Sequence, residues 1–343
     1  MQNEIRKPTR LLDEKGELVQ RGYAKKLLLE YDRGDIKAAK HRIKEWDYYL
    51  IANDKYAVAL TIDDNSYMGL VSASLLDFEK PWERTKSIMS AFPMGKTNFP
   101  SSSGEGDVSY CGKQCRFRFF FENGKRRLVC SITDFLDKKP FKCDITLSDE
   151  PEESMVIATP YKEDKKAFYY NQKINCMRAC GSAEFDGRCY EFEPETSFGT
   201  LDWGRGVWTY SNTWYWGSLS GQVGGKLFGF NIGYGFGDTS AASENMLFYD
   251  GRAHKTENVT FNIPMKNGRE DYLSPWTFSS SDGRFEMDFV PIIDRASCSD
   301  VLLIKSDQHQ VFGRFSGTAV LDSGEKIEIK DMLGFAEKVM NRW

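Results

Sequence analysis

The run "LDWGRGVWTYSNTWYWGSLSG", residues 201–221, places Trp203, Trp208, Trp214, Trp216, Tyr210 and Tyr215 beside one acid, Asp202, and one base, Arg205. A carboxyl set among aromatic rings loses solvation, keeps its proton to higher pH and can act as a general acid. Ring faces stabilise a passing cation. Together these residue types suit protonation of a carbon–carbon double bond, followed by capture of the cation by water or an internal hydroxyl. Asp202 is the candidate donor, and Arg205 is close enough in sequence to pair with it if the glycines let the chain curl. The same pair could instead close the end of a barrel. In an unbroken strand Trp208, Trp214 and Trp216 share one face and Trp203 points away. Those three, with Tyr215, either line a cavity for an apolar ligand or form an ordinary packing surface.

A second stretch, "FGFNIGYGFGDTSAASENMLFYDGRAHK", supplies Asn231, Tyr234, Asp238, Glu244, Asn245 and His254 as further candidates. Glu244 and His254 would orient the acid or a water. Read plainly, Asp238 begins a turn, Glu244 is solvated and His254 ends a hairpin. Gly233, Gly235 and Gly237 alternate without the lysine that a phosphate loop requires, so they read as a smooth face of a strand. Asp238 and Glu244 would also serve as paired carboxylates on a sugar held by aromatic platforms. His41, His254 and His309 are far apart, and the gaps Cys111 to Cys115 and Cys176 to Cys180, which zinc would tolerate, lie in strand-like surroundings. No metal and no cofactor is expected, and no "GxSxG" elbow precedes a helix.

Aromatics make up 14% of the chain and glycines number 29, which favours sheet. "WDYYLIANDKYAVALTIDDNSYMGLVSASLLDF" reads as successive strands, and "CRFRFFFENGKRRLVC" as a hairpin turning at Asn-Gly. Aromatic strands separated by "FYDGRAHK", "MKNGRED", "SSSDGRF" and "LDSGEK" continue the pattern, so the expected fold is mostly β, with antiparallel meanders closing into two tandem barrels. Residues 1–45 are expected to form a helical lead, 46–195 the first barrel and 196–343 the second. "KDMLGFAEKVMNRW" is expected to be a helix packed against it. Glu45, Asp47 and Tyr49 share a face that reads as wet, and Asp294 with Arg295 as a strand-end ion pair. The net charge of -4, 46 basic against 50 acidic residues, gives no field for nucleic acid. No run of about 18 uncharged apolar residues and no leader-like core occurs, so the expectation is a soluble, cytoplasmic protein with no transmembrane segment. Oligomeric state stays open.

The strings "LLDEKGELVQRGYA", "RIKEWDYYLI", "LDWGRGVWTYSNTWYW", "GFNIGYGFGDTSAASENMLFYDGRAHK" and "GFAEKVMNRW" resemble the bacterial domain-of-unknown-function 2804 family over nearly the whole chain. More distantly, the chain is similar to the superfamily of carotenoid hydratases, kievitone-type hydratases and tocopherol cyclases. That resemblance implies two lipocalin-like β-barrels in tandem, handling isoprenoid or polyaromatic substrates by acid-catalysed addition of water or a ring-closing hydroxyl to an alkene. Asp202, Trp203 and Gly204 match its pattern in order, and Trp214 and Trp216 sit at its tryptophan pair. Arg205 and "GYGFGD" depart from it. The resulting expectation is a cofactor-independent hydratase, cyclase or isomerase for an apolar small molecule. A carrier or sensor that binds such a molecule unchanged, and a carbohydrate-processing enzyme, are the alternatives.

Overall fold

Exposure along each strand follows its chemistry. In Cys115–Glu122, Phe117 and Phe119 are buried while Arg116 and Arg118 face solvent. This strand meets Lys125–Leu136 in the expected hairpin, with Asn123 and Gly124 at φ +52° and +71°. Such left-handed pairs match the twist of the flanking strands. Phe198–Val207, by contrast, is buried at every position, so it must be covered on both faces.

The computed structural model describes residues 2–301 and 304–342. Its two main sheets are curled and antiparallel, each a half-barrel, and two small two-stranded pairs lie outside them. The first orders its strands Trp82–Ala91, Met68–Asp77, Tyr56–Asp64, Ile43–Ala52, Phe198–Val207, Asp164–Phe185, Lys139–Ser148, Lys125–Leu136, Cys115–Glu122 and Asp107–Cys111. Met155–Tyr161 and Arg188–Phe192 also pair with the long central strand Asp164–Phe185. The second sheet runs Arg252–Lys255, Met246–Tyr249, Lys226–Tyr234, Ser211–Val223, Lys326–Arg342, Ile304–Val320, Phe285–Val301, Trp276–Ser280 and Val259–Asn262. The chain crosses from one sheet to the other between Val207 and Ser211.

Two expected helices are strands or turns instead. Among the described residues before the strand Ile43–Ala52 the helical elements are two 3-10 turns, Arg33–Asp35 and Lys40–Arg42, set among short extended pieces. Leu29 and Tyr31 are buried between exposed Glu30 and Asp32, a period of two, and Gly22–Ala24 adds to the edge of Met155–Tyr161. Sheet pairing and burial here override the helix propensity of Leu, Lys and Glu. The tail is the strand Lys326–Arg342, bonded to Ser211–Val223 on one side and Ile304–Val320 on the other. No helix among the described residues is long and apolar enough to cross a membrane.

The sheets are joined at a bulge. The register between Asp164–Phe185 and Phe198–Val207 slips between Ile174 and Met177, and Cys176 takes φ +64°. A bulge re-aims the side chains it displaces. Here Asn175 Nδ2 comes within 3.2 Å of the Leu219 and Phe230 carbonyl oxygens and donates to the Ser218 hydroxyl at 2.8 Å, while the Cys176 N–H donates to Ser220 Oγ at 3.0 Å. Gly229 permits this approach, since a Cβ there would lie 2.6 Å from both Cys176 Sγ and the Leu219 oxygen. Gly229→Ala should therefore cost about 1–3 kcal/mol. Adding Cys176→Ala should return part of that loss, as read by chemical denaturation of the single and double variants.

Candidate active site at the junction of the sheets

The central strands of the first sheet set Lys173 directly across from Asp202, with Tyr48 across from Asp202 on its other side. Lys173 Nζ lies 2.8 Å from Asp202 Oδ2, and Asn171 Nδ2 donates to Oδ1 at 2.7 Å. All three side chains are buried. The ammonium also lies 3.8 Å from the centre of the Trp216 ring and 5.9 Å from that of Phe236, both contributed by the second half of the chain. A desolvated cation over ring faces is favourably placed.

Two further carboxyls surround this pair. Trp216 Nε1 donates to Asn231 Oδ1 at 2.7 Å, and Asn231 Nδ2 donates to the Glu244 backbone oxygen at 2.9 Å and faces Glu244 Oε2 at 3.3 Å. Glu244 is fully buried, and the buried Tyr169 hydroxyl is its neighbour. Burial pushes the Glu244 carboxyl up to about 7, the charge of Asp202 adding to the shift while Lys173 and Asn231 oppose it. Burial and then the Glu244 charge push Tyr169 upward as well. Glu337 lies across from Trp216 and Gln310. It accepts from Trp214 Nε1 at 3.0 Å and from Gln310 Nε2 at 2.9 Å. Burial pushes it, too, up to about 7, against the bond from Trp214 and the charges of Arg295 and Lys173.

Aromatic rings close the cluster. Trp208 meets Trp214 and Trp46 edge-on at 5.3 and 5.5 Å, and Phe236 stacks on Tyr169 at 4.7 Å. A Cβ at Gly204 would run into the Trp46 indole, which explains the glycine of the Asp-Trp-Gly run. Thus Trp208 and Trp214 meet, Trp216 packs beside them against Tyr48, Phe335 and Lys173, and Trp203 lies apart, against Tyr31 and Tyr170. Their faces are covered by one another and by neighbouring rings. A cavity of about 20 Å³, room for one water, is lined by Leu50, Phe198, Thr200, Ser218, Phe312 and Leu333, and a recess of about 620 Å³ by Arg269, Glu270, Tyr272 and Asp294 among others. Neither touches Asp202, Glu244 or these tryptophans.

Several candidates fall elsewhere. Arg205 does not hold Asp202: three residues along a strand it points the other way, fully buried, pairing with Asp47 at 3.1 Å and donating to the Trp46 and Gly204 oxygens. Glu45 and Asp47 are therefore buried and not wet, Glu45 accepting from Tyr31 and Arg33. Tyr215 stacks on Tyr234 at 4.5 Å inside the second sheet. Asn245 supports the cluster from behind, accepting the Gly233 N–H and donating to the Glu257 oxygen. Asp238 pairs with Lys162 at 3.7 Å, and His254 with Asp322 at 3.3 Å, which places both outside the cluster's bonds. Asp294 and Arg295 sit within a strand, bonded to His309 and Ser74. Residues not anticipated are Asn171, Lys173, Tyr169, Phe236 and Glu337. The polar run Asn171-Gln172-Lys173 inside "FYYNQKINC" is the signal that could have exposed the first two.

Comparison with known proteins bears on the fold. A search of curated proteins returns no match. Among solved structures, kievitone hydratase from Nectria haematococca aligns at 13% identity and TM-score 0.51, covering 86% of this chain and 88% of that one. An AttH-like protein from Nitrosomonas europaea aligns at 12% identity and TM-score 0.53, covering 90% and 96%. Both likenesses are of fold. The model of the domain of unknown function DUF2804 matches residues 2–343, and the chain belongs to that family.

Proposed function

We propose that this protein is a hydratase, cyclase or isomerase for an apolar, unsaturated, isoprenoid-like molecule, working by proton transfer from Glu244. One observation carries the reading: a wholly buried carboxyl, raised to about 7 and neighboured by the Tyr169 hydroxyl, stands beside a buried cation and a group of aromatic rings. Such a value lies where a general acid is both protonated and able to give up its proton near neutral pH. The fold shared with a kievitone hydratase is in keeping with this chemistry.

In the mechanism, the Glu244 proton passes to one alkene carbon and the π electrons form the new C–H bond, leaving a cation on the neighbouring carbon. The rings of Tyr169, Trp208 and Trp214, which surround Phe236, hold that charge. Water or an internal hydroxyl adds through oxygen and its proton returns to the Glu244 carboxylate; loss of an adjacent C–H proton instead gives an isomer. Asp202, already accepting from Lys173 and Asn171, acts as the counter-ion and not as the donor. His254, bonded to Asp322, takes no part.

All three outcomes place a solvent-derived hydrogen on carbon. Incubating the protein in D2O with prenyl alcohols and prenylated phenols should give products deuterated at carbon, detected by mass spectrometry. Glu244→Gln should slow this by about 10²–10⁴-fold, and the wild-type rate should fall as pH rises through about 7, where the donor loses its proton. Unchanged uptake in that variant would exclude Glu244; binding without uptake would leave a carrier in the enzyme's place.

Asp202→Asn should destabilise the chain by about 3–5 kcal/mol, because it leaves the Lys173 ammonium buried without its partner. Asp202→Asn with Lys173→Met should recover most of the loss in urea unfolding.

Glu244 and Glu337 stay protonated in the folded chain between the ordinary value of 4.5 and about 7, where the unfolded chain has released those protons. The stability they contribute is complete below the ordinary value and is lost as pH rises through about 7. The melting temperature should drop between about pH 5 and about pH 8, and calorimetry should show a smaller drop in Glu337→Gln.

A further inference from the structure

One ring of the aromatic cluster, Phe236, is carried by a loop and not by a strand. Phe236 is buried, stacks face to face on Tyr169 at 4.7 Å with planes 14° apart, and lies 5.6 Å from Trp214. Its neighbour Gly235 is exposed, so the ring lies just beneath the surface, 5.9 Å from Lys173 Nζ.

The backbone that carries this ring is built differently from the rest of the site. Between the strands ending at Tyr234 and starting at Met246 the chain forms no strand or helix. Phe236 is bracketed by Gly235 at φ +97° and Gly237 at φ +72°. Neither tolerates a Cβ: at Gly235 it would collide with the Thr213 oxygen, and at Gly237 it would lie 2.6 Å from the Pro160 oxygen. Glycines also reach other backbone conformations at little cost. The first part of this segment is tied down by Thr159 Oγ1 donating to the Phe236 oxygen at 2.7 Å, by the Asp238 N–H donating to the Pro160 oxygen at 2.6 Å, and by the Asn3 N–H donating to the Ala241 oxygen at 2.7 Å.

The far end is anchored separately. Lys255 Nζ donates to Ser243 Oγ at 3.0 Å and to the Asn245 oxygen at 2.7 Å, so it brackets Glu244, while Asn231 bonds the Glu244 backbone oxygen. Glu244 is thus held by contacts separate from those that hold residues 235–242. We propose that Phe236 occupies the place of the substrate's reacting group, that residues 235–242 form a flap which withdraws it, and that its size sets what the site admits. The inference rests on the reading of Glu244 as the acid. The vacated place would have the parallel face of Tyr169, the tilted ring of Trp214, the edge-on ring of Trp208 and a nearby carboxyl as its walls. That selects a flat, apolar, unsaturated group about as large as a phenyl ring, such as a prenyl terminus or an aryl ring, and not an extended polar molecule.

Removing a buried ring leaves a space that small aromatic molecules can fill, as apolar cavities of about 150 Å³ take up benzene. In Phe236→Ala, toluene titrated against tryptophan fluorescence should bind at least about tenfold more tightly than in the wild type, with native near-ultraviolet circular dichroism retained. Hydrogen exchange of the unaltered protein supplies a second measurement that needs no variant to fold: the Asp238 amide should exchange faster than the Gly233 amide, which sits beside the anchored end. Toluene binding equal to that of the wild type in a folded Phe236→Ala, or an Asp238 amide that exchanges only with global unfolding, would overturn the flap. Phe236→Ala combined with Glu244→Gln should bind toluene as the single variant does. If that binding holds while deuterium uptake never appears, the proton-donor reading fails and the flap stands.

Discussion

The structure turns on one ion pair, Lys173 with Asp202, enclosed between two sheets. Removing two charges from water costs several kcal/mol per ion unless their remaining hydrogen-bonding capacity is met. Asn171 meets part of it on the carboxylate, and the Trp216 face meets part of it on the ammonium. The remaining charge in the cluster follows from burial. Asp202, Glu244 and Glu337 crowd around Lys173, with Lys255 near Glu244 and Arg295 near Glu337, and ionising all three would place three desolvated negative charges in one part of the interior. Two carboxyls holding their protons to about 7 is the solution that burial selects.

Neither sheet makes this cluster alone. Lys173, Asn171, Asp202 and Tyr169 come from the first, and Trp216, Asn231 and Glu337 from the second, with Glu244 on the segment leading into it. The bulge at Asn175 and Cys176 brings the two into hydrogen-bond contact two residues beyond Lys173. A reading of the chain as two independent barrels misses this dependence. The strand that carries Asp202, Phe198–Val207, belongs to the first sheet although it follows the proposed break near residue 195.

Much of the strand order was legible because its turns are written in local chemistry. Asn123-Gly124, Asp186-Gly187 and Asp250-Gly251 all take the left-handed conformations those residues accept. The two misread helices show the limit of that approach. "GFAEKVM" has the composition of a helix, yet its strand is covered on both faces near the junction, so no alternation survives to mark it. The error also hid Glu337. Lys173 was missed for a related reason, since a lysine in a sequence is ordinarily taken as solvated and only the facing strand reveals its partner. Asp202 was legible through its Asp-Trp-Gly setting, but its partner was not. Arg205 is near in sequence, whereas in a strand a separation of three reverses the face, and the real partner lies 29 residues away across the sheet.

A cluster that already contains a cation would appear hostile to forming a second one. Charge conservation within the site removes the difficulty. When Glu244 gives its proton to carbon, the substrate gains one positive charge and Glu244 becomes one negative charge, so the sum over Lys173, Asp202, Glu244 and substrate is unchanged. Only its distribution moves. The new carboxylate faces both Lys173 and the nascent cation, and Coulomb attraction in this poorly screened interior is far stronger than in water. The rings then need to supply only the difference between water and the protein interior at the carbon itself. A dry, tightly packed aromatic junction is thus the environment that lets a weak acid such as a carboxyl protonate an alkene, because every charge the step creates is created next to its opposite.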